Sequence, residues 1–314
     1  SRFPIEAGIL PGFEPMEDTD AAALRADIEE SLYKEAYAQS GSDLTKAISL
    51  LASRKADMPL DGLFKWMAGN AEGIGLWEEG GGLSELAQQL NVNPENHLND
   101  CYVDAWNDTV RVDVKVAAQS LLGSSNKNDV VKANKILKAV TEPDVIAGFE
   151  QYASIILTQK GDLRKSVVTL SAPEVAKSFF GTSKSGVTPE AQRVWDAVQK
   201  ILAADCLDLT RAVYTIAVRY ARTYEQAKRA RRWLDFNDQI LLVRNLLVRS
   251  DVADWVRYKL DGGIGHILVD EAQDTSPEQW QIIDALKDGF TAPDPQWPKE
   301  TVKTFFAVGD EKQS

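Results

Sequence analysis

Cysteine and histidine are scarce in this chain of 314 residues, which contains only two of each. Cys101 and Cys206 lie far apart, and neither forms a Cys-x-x-Cys pair or a cluster with His97 or His266. This pattern argues against a disulfide framework, a zinc site and an iron–sulfur cluster. We expect both cysteines to be small buried hydrophobic residues and both histidines to be isolated.

The sequence also lacks a long apolar run, a signal peptide and an excess of basic residues. No segment is apolar enough to span a bilayer, and no N-terminal basic region precedes an apolar core, so we expect a cytoplasmic protein without membrane contacts. The net charge is −12 and the pI is about 4.8. Because such a surface repels nucleic acid overall, any nucleic-acid contact requires a local basic patch.

An apolar segment that ends in two acids is the most informative stretch of the sequence. Residues 264–270 predict a buried strand of a parallel sheet, and Asp270 and Glu271 stand where that strand ends. Ligands of open α/β sheets bind at the carboxyl ends of the strands. An Asp there can hold the magnesium of a Mg-nucleotide through water, and a Glu can polarise the attacking water. The alternative for two acids alone is an acidic turn that caps the next helix.

A second predicted strand, 303–308, is followed by Gly309-Asp-Glu-Lys-Gln-Ser314. Between the two strands, residues 275–280 predict a capped helix start with Pro277 at an early position. Val-Asp-Glu-Ala-Gln-Asp-Thr-Ser-Pro-x-Gln-Trp and the later Gly-Asp-x-x-Gln-Ser resemble motifs II and III of the UvrD/Rep group of superfamily-1 DNA helicases. The Ala-Gln-Asp-Thr-Ser-Pro wording is most similar to AddA subunits of AddAB helicase-nucleases.

The resemblance implies ATP and Mg²⁺ as cofactors and gives individual residues a role. Asp270 would hold magnesium through water and Glu271 would activate the attacking water. Gln273 and Asp274 would couple nucleotide state to a neighbouring lobe, and Gln313 would contact the γ-phosphate region. The implied partners are DNA, as duplex ends and single strand, and an AddB-like subunit, in double-strand break repair.

The chain contains no Gly-Lys dipeptide and therefore no Gly-x-x-x-x-Gly-Lys-Ser/Thr phosphate loop. We expect it to be a piece of a longer protein, with the phosphate loop before residue 1 and a second motor lobe and nuclease domain after residue 314. Such a piece would be inactive alone. A naturally ATPase-dead protein, a single-subunit UvrD/PcrA-type helicase without nuclease and a non-catalytic DNA-binding or scaffolding module remain alternatives.

Helical periodicity dominates the rest of the chain. Helices are predicted over 19–39, 43–53, 60–67, 83–90, 93–106, 126–140, 143–157, 189–233 and 235–248. Valines alternate with polar residues over 110–116, which is locally a strand pattern, but the helical continuation to Leu122 favours a helix. The predicted fold is mainly α with a partial α/β unit. Residues 1–13 would be a connector, 14–233 a helical inserted (1B-like) subdomain, and 234–314 part of a RecA-like P-loop NTPase (1A-like) lobe.

Two features lie near the end of the long helix. Six basic residues crowd it and are candidate contacts to a DNA backbone, although cations also favour helix C-termini through the helix dipole: Arg219, Arg222, Lys228, Arg229, Arg231 and Arg232. The interleaved Tyr220 and Tyr224 fit the apolar stripe and are predicted to pack. Residues 234–240 resemble the family element that returns the chain to the motor lobe, but Asn237 and Gln239 depart from its pattern.

Overall fold

The computed structural model describes residues 7, 12–54, 60–70, 73–74, 77, 80–95, 97–249, 251, 253–261, 264–288 and 303–310. The described chain is mostly helical. Its helices are α1 Asp18–Ala38, α2 Asp43–Arg54, α3 Leu60–Gly69, α4 Gly82–Gln89, α5 Leu98–Ala105, α6 Asp108–Leu121, α7 Lys127–Thr141, α8 Val145–Ile156, α9 Glu174–Phe180, α10 Pro189–Arg231, α11 Phe236–Arg244, α12 Ala253–Asp261 and α13 Pro277–Asp288. Four short strands accompany them: β1 Glu14–Pro15, β2 Trp233–Leu234, β3 His266–Val269 and β4 Thr304–Ala307.

The chain folds into two compact units. Unit 1 comprises Ser1–Glu35, Leu60–Gly69 and Arg219–Ser314, and unit 2 comprises Ala36–Pro59 and Asn70–Val218. These divisions differ from the boundaries at residues 13/14 and 233/234 that the sequence predicts. The assignment of the units to helicase subdomains remains a prediction, and most of the predicted connector 1–13 lies outside the described residues.

The core of unit 2 is a layered packing of helices around aromatic side chains. Trp106 stacks on Tyr152 with ring centroids 4.8 Å apart, and Phe149 meets Trp106 edge-on at 6.1 Å. All three are almost completely buried, which contributes roughly 1.5–3 kcal/mol per large apolar side chain. Gly148 permits this approach, because a Cβ there would lie 2.8 Å from the indole nitrogen of Trp106.

Helix α6 settles the ambiguous valine pattern as predicted. Asn107 caps it by accepting a hydrogen bond from Val110 N, and Val114 is completely buried. Val112 and Val116 are exposed, so every second valine points outward although the backbone is helical. The alternation therefore reflects a half-buried helix with solvent-exposed valines.

Unit 1 begins with a parallel pair of two-residue strands. Glu14 pairs with Trp233 and Pro15 with Leu234, which ties the start of the described chain to the end of α10. Helix α11 then opens with a reciprocal capping box between Asp235 and Asp238. The sequence predicts this cap but not the strand pair.

Several other expectations are corrected. The helix predicted from residue 93 begins only at Leu98, with His97 at its N-cap. Cys206 is exposed rather than buried, and Cys101 is half-buried. Helices α9 and α12 were not predicted. Tyr220 and Tyr224 pack as expected, since both are buried and their rings stack at 5.9 Å. None of the helices in the described part of the chain combines the length and apolarity needed to cross a bilayer.

Candidate active site at the ends of two parallel strands

The two predicted site strands are neighbours. β3 and β4 pair in parallel from His266↔Thr304 to Val269↔Ala307, and Val308 N–H donates to Val269 O at 2.9 Å. The imidazole Nδ1 of His266 lies 2.8 Å from the hydroxyl of Thr304. The carboxyl ends of both strands therefore meet at one edge, where ligands bind in open α/β sheets. The strands are not buried as predicted, because β4 is exposed throughout and Leu268 of β3 is 71% exposed.

Asp270 and Glu271 follow directly at this edge, and both side chains are exposed. Glu271 adopts a left-handed backbone conformation, with φ 51° and ψ 47°, and its N–H donates to Asp270 Oδ1 at 3.0 Å. A non-glycine residue in this region carries strain of about 1 kcal/mol or more. The strained turn is held in place because the next N–H, that of Ala272, donates to Val308 O at 2.8 Å.

Gln273 links the two strand ends through its side chain. Its Nε2 donates to Glu271 Oε2 at 2.6 Å, and its Oε1 accepts from the backbone N–H of Asp310 at 2.9 Å. The amide orientation is unambiguous, since a carboxylate only accepts and a backbone N–H only donates. Gly309 makes room for this bridge, because a Cβ there would lie 2.8 Å from Gln273 Oε1.

Beyond this bridge, a short 3₁₀ turn Ala272–Asp274 leads into α13. Asp274 N–H donates to Glu271 O at 2.9 Å and its carboxylate is exposed. Ser276 and Gln279 cap α13 reciprocally, as the sequence predicts: Ser276 N donates to Gln279 Oε1 and Gln279 N to Ser276 Oγ. Gln313, the predicted γ-phosphate contact, lies outside the described residues.

The donor set at the strand end is compatible with magnesium. Among the described residues, no three His, Cys, Asp or Glu side chains cluster in a way that could hold a metal ion. Mg²⁺ does not need such a cage, because it keeps several waters and binds through one or two carboxylates together with substrate phosphates. One exposed carboxylate, that of Asp270, fits this mode of binding.

The basic cluster on α10 is largely occupied by internal ion pairs, and Lys228 has to be removed from the predicted DNA contacts. Its side chain is 3% exposed, and Nζ lies 2.6 Å from Glu225, 3.0 Å from Asp235 and 2.7 Å from Asp238. Burial alone would lower the pKa of Lys228, but hydrogen bonds to Asp238 and Glu225 and the charge of Asp235 outweigh it and raise the pKa. We call these four residues the Lys228 cage. The cage fastens α10 to the cap of α11.

Two other members of the cluster also face acids. Arg219 Nη2 lies 2.9 Å from Glu35 Oε2, and Arg231 Nη2 lies 4.0 Å from Asp27 Oδ2. Arg222, Arg229 and Arg232 are exposed. The DNA role of these five arginines remains a prediction.

Sequence reasoning missed the way in which Gln273 and Lys228 act. Gln273 appeared in a recognisable motif, but its bridge to Asp310 depends on two strand ends that are 37 residues apart in the chain. Lys228 carries a local signal, because Asp235 and Asp238 follow it at short range. A lysine at a helix end near two capping acids is a candidate for an internal ion pair.

Comparisons with known proteins place this geometry in a family. A family model described as UvrD/REP helicase N-terminal domain matches residues 107–314. A protein of Staphylococcus carnosus, named as the AddA subunit of an ATP-dependent helicase/nuclease, is 31% identical over 147 residues, which are 45% of this chain and 11% of the relative. The protein of that name from Syntrophomonas wolfei is 21% identical over 336 aligned residues, covering 98% of this chain and 24% of the relative.

A third relative of the same name, from Desulfitobacterium hafniense, is 30% identical over 107 residues, 34% of this chain and 7% of its own length. The chain thus spans a quarter or less of the length of these curated relatives. The family match covers well over half of the chain and includes both strands of the site. The chain therefore belongs to the UvrD/REP helicase N-terminal domain family.

Proposed function

We propose that this chain supplies the water-activating half of the ATPase site in a longer ATP-driven DNA helicase. The single observation that carries the proposal is the placement of Asp270 and Glu271 at the exposed carboxyl end of β3, with Gln273 joining Glu271 to the strand end of β4. The family match and the relatives named as ATP-dependent helicase/nuclease subunits support it.

Each residue of the site has a chemical task in this proposal. Asp270 orients the waters of a bound Mg²⁺, whose charge offsets that of the triphosphate. Glu271 accepts the proton of the attacking water as general base. The amide of Gln273 donates to Glu271 Oε2, which leaves Oε1 of that carboxylate to face the water.

The same amide provides a path from ATP hydrolysis to movement. Because Gln273 Oε1 holds the backbone N–H of Asp310, a shift of Glu271 during hydrolysis moves the segment that follows β4. Asp274 lies one residue further along the same turn and is proposed to carry this change to a neighbouring lobe. Gln313 is proposed to sense the γ-phosphate.

The whole protein is proposed to translocate on DNA and to act with a nuclease and an AddB-like partner in double-strand break repair. This part of the proposal rests on the names of the relatives, of which the chain covers only a fraction. The chain by itself contains no phosphate loop, so we propose that it does not hydrolyse ATP alone.

A strand-displacement assay tests the proposal. The longer polypeptide containing this chain is mixed with a duplex that carries a fluorophore and a quencher at a single-stranded overhang, and ATP is added. The wild type should separate the strands, and Glu271→Gln should not, although it keeps the size and most hydrogen bonds of the side chain. Unwinding by Glu271→Gln at the wild-type rate would overturn the assignment.

A further inference from the structure

Unit 2 carries a basic groove that the sequence did not reveal. Its walls include Lys132, Lys135 and Lys138 of α7, Gln151 and Ser154 of α8, and Arg164 of the turn that follows α8. We call it the α7 groove. It has a volume of about 510 Å³. The three lysines are spaced at i, i+3 and i+6, so they share one side of α7 and extend over about 9 Å along its axis.

The positive charge of the groove is not neutralised locally. α7 has one carboxylate, Asp129, which is completely buried and accepts hydrogen bonds from Ser124 Oγ, Thr169 N and Thr169 Oγ1. Lys135 and Lys138 are exposed, and neither forms an ion pair with an acid in the part of the chain that the structure describes. In a protein of net charge −12, such a concentration of free amines is unusual.

Two of the cations also build the walls of the groove. Lys132 Nζ donates to Val167 O at 2.5 Å. Arg164 donates from Nε to Leu157 O at 2.8 Å and from Nη2 to Ser154 O at 3.2 Å. These bonds hold the turn against α7 and α8, so the free amines of α7 face a wall of fixed shape.

We propose that the α7 groove binds the sugar-phosphate backbone of duplex nucleic acid, without regard to sequence. Lys, Arg, Ser and Gln are the side chains that contact phosphates, and all four types line the groove. Ile155 is its one apolar residue, so it lacks the buried hydrophobic anchor of a protein interface. No aromatic residue lines it for base stacking, which favours a duplex over a single strand.

This inference rests on the proposed function for the identity of the polymer, and it adds a contact that the arginines of α10 do not provide. The site lies within unit 2, whereas those arginines and the ATPase residues belong to unit 1. Its role can be tested without nucleotide. The outcome is therefore separable from that of the unwinding assay.

The test measures fluorescence anisotropy of a labelled duplex of about two helical turns and arbitrary sequence, titrated with the chain over a series of salt concentrations. Lys135→Gln/Lys138→Gln removes two exposed amines. Each phosphate contact contributes about 0.9 to the slope of log K against log salt, so the slope should fall by roughly 1.8. The affinity at about 0.1 M salt should fall by about tenfold or more, up to roughly 60-fold.

The matched control is Lys115→Gln/Lys184→Gln, which removes two other exposed lysines of unit 2 and changes the net charge equally. It should leave affinity within about twofold of wild type. Equal losses in both double variants would overturn the proposal, because the effect would then be one of net charge alone. An unchanged slope in Lys135→Gln/Lys138→Gln would overturn it too.

Two further outcomes separate this inference from its alternatives. Lysine-dependent binding of phosphatidylserine vesicles without binding of duplex would overturn it in favour of a membrane surface. Conversely, Glu271→Gln in the chain should bind duplex as tightly as wild type. If the longer protein fails to unwind DNA while duplex binding still requires Lys135 and Lys138, the proposed function fails and the groove remains.

Discussion

Replacing Lys228 by methionine removes the one positive charge of the Lys228 cage and leaves most of its volume filled. Glu225, Asp235 and Asp238 would then face one another without a cation at a site where the lysine side chain is 3% exposed. Removing one partner of a buried ion pair destabilises a fold by about 3–5 kcal/mol. We expect a loss in this range for unit 1, which includes the contact of the ammonium with the Tyr224 ring at 5.0 Å.

The loss should depend on pH in a defined direction. Burial raises the pKa of Asp238, and Lys228 opposes that rise. In Lys228→Met the opposition disappears, so the folded-state pKa rises further above the unfolded value of about 3.9. A carboxyl group with a raised folded pKa loses stability as pH climbs through that range. The variant should therefore be less destabilised relative to wild type at about pH 5 than at about pH 7.

Urea unfolding, followed by hydrogen exchange of peptides covering residues 220–240, measures this effect and locates it. Arg222→Met is the matched control, because it removes an exposed cation about 1.7 turns earlier on the same helix. A midpoint for Lys228→Met equal to that of Arg222→Met would refute the reasoning. So would a destabilisation that is larger at acidic pH.

Two further predictions concern unit 1. Gly309→Ala places a methyl group 2.8 Å from Gln273 Oε1 and should destabilise the bridge by about 1–3 kcal/mol, seen as faster exchange of the Asp310 amide. Gly62→Ala, which meets nothing within 4 Å in α3, should be neutral or stabilising by up to about 1 kcal/mol, and equal effects would contradict the contact. Burial, with the charge of Asp235, raises the pKa of Tyr224 to about 12. Because the unfolded tyrosine ionises near about pH 10, stability should fall as pH rises above that value. Tyr224→Phe should lessen that fall, and an unchanged pH profile would contradict it.

The helices were largely predictable because their signals are local. Asn107 at the cap of α6 and the capping acids of α11 stand within a few residues of the helices they begin. The two site strands were predictable for the same reason, since each ends at an abrupt change from apolar to acidic residues. Their exposure was not predictable, because the burial of a strand depends on what packs against its faces.

Long-range pairings carried most of what the sequence could not reveal. Glu14 and Trp233 pair as two-residue strands, which are too short to leave a periodic pattern. The α7 groove needs the turn at Arg164 to pack beside α7, so the lysines of α7 alone indicate only a solvated helix face. Within the candidate site, Asp270 and Glu271 were found from sequence, whereas the Gln273 bridge required the register of β3 and β4.

Single-turnover hydrolysis by the longer protein tests the central claim, which is that Glu271 activates the attacking water. Wild type and Glu271→Gln are each mixed with Mg-ATP and single-stranded DNA, and phosphate release is followed beside an independent measurement of nucleotide affinity. The account predicts a rate reduced by about 10²–10⁴ with affinity largely unchanged, as expected for loss of a general base. Hydrolysis by Glu271→Gln near the wild-type rate, with nucleotide bound equally well, would contradict it.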